Sequence, residues 1–140
     1  MMIVYKVCRE VDGRYFSANP FTEAIAQFVM SDGTLPEWAN KMIVEYKVGE
    51  KTTFLDERPG FSFRDYESAK MWVTPGYPGD HNMRIFRADL TGLIRPWNET
   101  DEEWCGSMPT TYSSCTLLST EITLLALVAS VIDHKLVEHE

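Results

Sequence analysis

The dipeptide Asp12-Gly13 lies between "MIVYKVCR" and "YFSA", two runs rich in β-branched and aromatic residues. Both of its residues tolerate positive φ, the backbone state that a tight hairpin turn requires. The chain therefore opens by folding a strand back on itself rather than by crossing over through a helix. In the first run Ile3, Tyr5 and Val7 alternate with Val4, Lys6 and Cys8, the pattern of a strand with one well-buried face.

Three further runs carry strand character. "KMIVEYKVGE" (41–50) alternates and closes on Gly49, and "MRIFRADLTG" (83–92) alternates through Ile85, Arg87 and Asp89. "CTLLSTEITLLALV" (115–128) is a strand with a break at Ser119-Thr120. Two segments read as helices. One covers 19–30, with Pro20 breaking what precedes, Thr22 as a cap and Ala24, Ile25, Phe28 and Val29 on one face. The other covers Tyr66–Val73, capped by Asp65. A short strand at Phe61–Phe63 leads into it and places Ser62 opposite the two phenylalanines. The order β-β-α-β-β-α-β-β lacks regular βαβ alternation. It predicts an α+β fold: a single domain over 1–140, with a mainly antiparallel or mixed sheet and about two helices packed on it. A long loop is expected over 93–114, and a short helix or frayed tail over 132–140.

At 140 residues the chain suits one domain, and four Trp, six Tyr and seven Phe argue against disorder. The formal charge of −8, from 21 acidic and 13 basic residues without a basic cluster, argues against direct nucleic-acid binding. Cys8, Cys105 and Cys115 are odd in number and lack a CxxC spacing, which fits reduced thiols and a cytoplasmic location. No signal-peptide pattern opens the sequence. The stretch 122–132 falls short of the ~20 apolar residues that span a bilayer, so no membrane association is expected. His81, His134 and His139 have no metal-ligand spacing, and no metal is expected.

Two constellations stand out. "WNETDEEW" sets Glu99, Asp101, Glu102 and Glu103 between Trp97 and Trp104. An acidic patch edged by aromatic anchors reads as a surface for another protein. The other reading of the same segment has each Trp closing the edge of the core while the acids stay solvated. Ser62, beside a helix start, is either a ligand contact or a small residue in a packing joint, and the joint is the expected role.

The pieces "YKVCREVDGRYFSA", "VEYKVGEKT", "GFSFRDYESAK" leading to "MRIFRADLTG", and "CTLLSTEITLLALV" resemble, in that order, a family of small uncharacterised domains found largely in phages and prokaryotes. The resemblance covers most of residues 3–128 and implies no catalytic residues. It suggests a phage accessory or host-interaction protein that works by protein binding without a cofactor. The chain is also similar, less closely, to the ADP-ribosyltransferase-like fold. That resemblance implies NAD as cofactor, with Arg9 on a phosphate, Ser62 positioning the nicotinamide ribose and Glu121 stabilising the oxocarbenium charge. Such an enzyme needs the three side chains around one cleft.

Overall fold

The computed structural model describes residues 1–18, 22–30, 33–40, 42–54, 60–73, 82–97 and 115–139. It is an α+β fold in which every strand pairing among the described residues is antiparallel. β1 (Met2–Val11) turns into β2 (Arg14–Ser17) through Asp12 at φ 50° and Gly13 at φ 80°, as the hairpin signal predicts. The helices among the described residues are α1 (Thr22–Met30), α2 (Glu37–Asn40) and α3 (Tyr66–Val73). The remaining strands are β3 (Glu45–Tyr46), β4 (Lys51–Thr53), β5 (Gly60–Phe63), β6 (Met83–Pro96), β7 (Thr116–Ile132) and β8 (Lys135–Glu138).

The sheet closes on itself. β6 pairs with β1 along one edge and β7 along the other, and β5 pairs with both β7 and β1. The hydrogen-bonded ring β1–β6–β7–β5 is extended by β2 and β3 at one side and by β4 and β8 along β7. So tight a ring needs curved strands, and the β6–β7 register shifts at three points. At one of them Gly92 takes φ 78°, and a Cβ there would meet the Thr120 hydroxyl, so the bend requires glycine.

Closure leaves both faces of β1 buried. Val7, Phe63, Ile85, Leu118 and Val131 form one cluster, which α3 covers with Ala69 and Val73. Val4, Cys8, Phe86, Leu90, Ile122 and Leu124 form another, joined by Tyr46 and Phe54. Val11, Phe16, Ile43 and Ala26 of α1 make a third. The α3 start follows its sequence signal: the Ser68 amide donates to Asp65 Oδ1 at 2.7 Å. Thr22 instead donates its hydroxyl to the Ser17 carbonyl at 2.6 Å, tying α1 back to β2.

Three expectations need correction. The strand over 41–50 shrinks to Glu45–Tyr46, because Ile43 donates its amide to Ala39 at the end of α2 and Gly49 turns the chain at φ 85°. The loop expected from residue 93 begins later, since β6 stays paired with β7 through Pro96. The frayed tail over 132–140 is instead a hairpin. Asp133 and His134 both adopt positive φ (51° and 63°), and β8 runs back along β7. Among the described residues no helix is long and apolar enough to cross a membrane.

Candidate interaction surface

β6 outruns its partner. Its pairing with β1 covers Met83–Leu90, while its pairing with β7 continues to Pro96. Among the described residues no strand pairs with the β1 side of 91–96. Leu93 is 78% exposed here and Ile94 37%, and Met2 and Ile3 at the nearby start of β1 are exposed as well. The Leu93 amide donates to Thr120 Oγ1 at 2.9 Å, which fixes the backbone and leaves the side chain outward. Apolar side chains beside an open strand edge suit docking of another protein.

Trp97 follows at once and plays a different part. Its amide donates to the Thr116 carbonyl at 3.1 Å, and its ring is 9% exposed among Phe63, Leu118 and Val7. Its indole Nε1 is buried and has no acceptor among the described residues. Trp97 therefore closes the edge of the core. Glu99, Asp101, Glu102, Glu103 and Trp104 lie outside the described residues.

The register does not gather Arg9, Ser62 and Glu121. Arg9 pairs with Phe16 and Met83 and shares the face of Val7, on the α1 side of the sheet. Ser62 is 1% exposed on the opposite face, between Phe61 and Phe63 and paired with Leu117. Glu121 pairs with Thr91, whereas Arg9 pairs with Met83, a path of roughly 26 Å along β6 at ~3.3 Å per residue. Its carboxylate stands 3.5 Å from Lys51 Nζ near the surface. Trp72 of α3 packs on the other face of β5 from Ser62, with ring centroids 5.5 Å from Phe61 and 5.9 Å from Phe63.

Lys6 is a feature that sequence reasoning missed. It is 3% exposed and donates to the Phe61 carbonyl at 2.5 Å. Its Nζ lies 4.7 Å from the Phe61 ring centroid, 5.5 Å from Tyr46 and 5.7 Å from Phe54, within cation–π range of all three. The one available signal was its place between Val4 and Cys8 at the strand period. Burial pushes the neighbouring Cys8 thiol up to about 12, with Lys6 pulling weakly the other way. A thiol so firmly protonated is not a nucleophile at neutral pH. Among the described residues no group of three His, Cys, Asp or Glu side chains is placed to hold a metal ion. Compared with protein-family models, curated proteins and solved structures, the chain matches none.

Proposed function

We propose that this is a protein-binding domain whose docking surface is the open end of β6 together with the acidic segment that follows it. The observation that carries the reading is the exposure of Leu93 and Ile94 on the strand stretch that β1 leaves unpaired. An added strand from a partner supplies backbone hydrogen bonds, and apolar side chains supply affinity. The partner's complementary chemistry is basic, because Glu99, Asp101, Glu102 and Glu103 follow Trp97 in a chain of net charge −8. A phage-borne accessory or host-interaction role is the setting we adopt, on the sequence resemblance alone.

Trp97→Ala is a poor probe of this surface, since it removes a core side chain. Leu93→Asp alters only an exposed one. The test is capture of partners on immobilised protein, with Met71→Asp on the exposed side of α3 as a control. A partner held by wild type and Met71→Asp but lost by Leu93→Asp supports the reading. Equal retention by all three removes it.

A further inference from the structure

A cavity of about 370 Å³ opens beside the β1–β2 turn, lined by Gly13, Arg14, Gly33, Glu45, Tyr46 and Lys47. Its charge runs against that of the whole chain. Arg14 holds Glu45 at two points, Nε to Oε2 and Nη2 to Oε1, each at 2.7 Å. Both carboxylate oxygens are thereby engaged. A guanidinium carries five N–H groups, so hydrogens on Nη1 and Nη2 remain beyond these two bonds. The Phe16 ring 5.5 Å from Arg14 Cζ braces the guanidinium from the side. Lys47 is exposed and makes no direct ion pair among the described residues; the Glu45 carboxyl is held below its ordinary range first by the Arg14 hydrogen bond, with the Lys47 charge a smaller contribution. The lining side chains sum to one net positive charge in a protein of net −8. Gly13 and Gly33 have open space where a side chain would stand, which leaves backbone accessible on two sides.

We propose that this cavity binds a small oxyanion, a phosphate or carboxylate group, held between the remaining Arg14 hydrogens and the Lys47 ammonium. Glu45 acts as a positioning residue: its two-point contact fixes the fork that the anion meets. The Arg14–Glu45 pair alone explains a closed structural bridge, but it leaves the open volume, lined by two cations and one carboxylate, without a role.

Amide NMR titration tests this at constant ionic strength, with inorganic phosphate in one arm and citrate in the other. Saturable shifts at Gly13, Gly33 and Lys47 are expected in at least one arm, and the arm that saturates more tightly identifies the favoured group. Lys47→Ala should weaken binding about threefold, the scale of one exposed charge contact, and Lys47→Glu should abolish it. Lys47 is exposed, so neither variant endangers the fold. Shifts that fail to saturate in both arms, or saturation unchanged in Lys47→Glu, would overturn the proposal. The outcome is independent of partner binding at β6.

Discussion

Gly92 and Asp65 show how single residues hold this architecture. Gly92 sits at φ 78° under Thr120, so Gly92→Ala combines a disfavoured backbone state with a steric clash. A loss of roughly 1–3 kcal/mol in urea unfolding is expected. Asp65 caps α3 through the Ser68 amide, and Asp65→Ala should cost about 1 kcal/mol. That hydrogen bond is the main reason the Asp65 carboxyl titrates below its ordinary range. A depressed folded value means that the stabilisation is complete above the unfolded carboxyl pKa and disappears as pH falls through the folded one. The gap between wild type and Asp65→Ala should therefore close in acid, as unfolding curves measured at descending pH would reveal. Asp65 was legible in the sequence because a cap is local chemistry. Lys6 was not, since an ammonium caged by Phe61, Tyr46 and Phe54 depends on residues about 40 to 55 positions away and on closure that buries the second face of β1.

Elements divide in the same way. The Asp12-Gly13 hairpin, the Phe61–Phe63 strand and α3 are visible in short windows, where turn chemistry and period decide. The β7–β8 hairpin was not visible, because Asp133-His134 has no glycine although both residues adopt positive φ. Asp133→Asn with His134→Gly should relieve that cost and raise stability by about 1 kcal/mol, read as a higher melting temperature. A drop would mean that His134 contributes contacts worth more than the backbone strain. The side chain beyond the hairpin also contributes: His139 Nε2 lies 2.8 Å from Ser130 Oγ, and its amide extends the ladder to Val128. The break expected at Ser119-Thr120 does not occur: β7 runs unbroken from Thr116 to Ile132, and the irregularity opposite these residues is an extra residue in β6 between Thr91 and Ile94.

At the scale of the whole molecule, ring closure through β5 decides what is core and what is surface. It buries Ser62 and Lys6, separates Arg9 from Glu121 along β6, and makes Trp97 a core-edge residue rather than a surface anchor. The antiparallel α+β class was readable from element order, but the ring was not, because each strand's second partner comes from a distant part of the chain. The same closure leaves β6 longer than β1 and exposes Leu93 and Ile94 at its end. On the function proposed above, a partner docks there. Amide hydrogen exchange on the free protein and on its captured complex is the most direct test. Slower exchange concentrated at residues 91–96 on binding is the predicted result. Unchanged exchange at 91–96, with protection elsewhere on the domain, would contradict it.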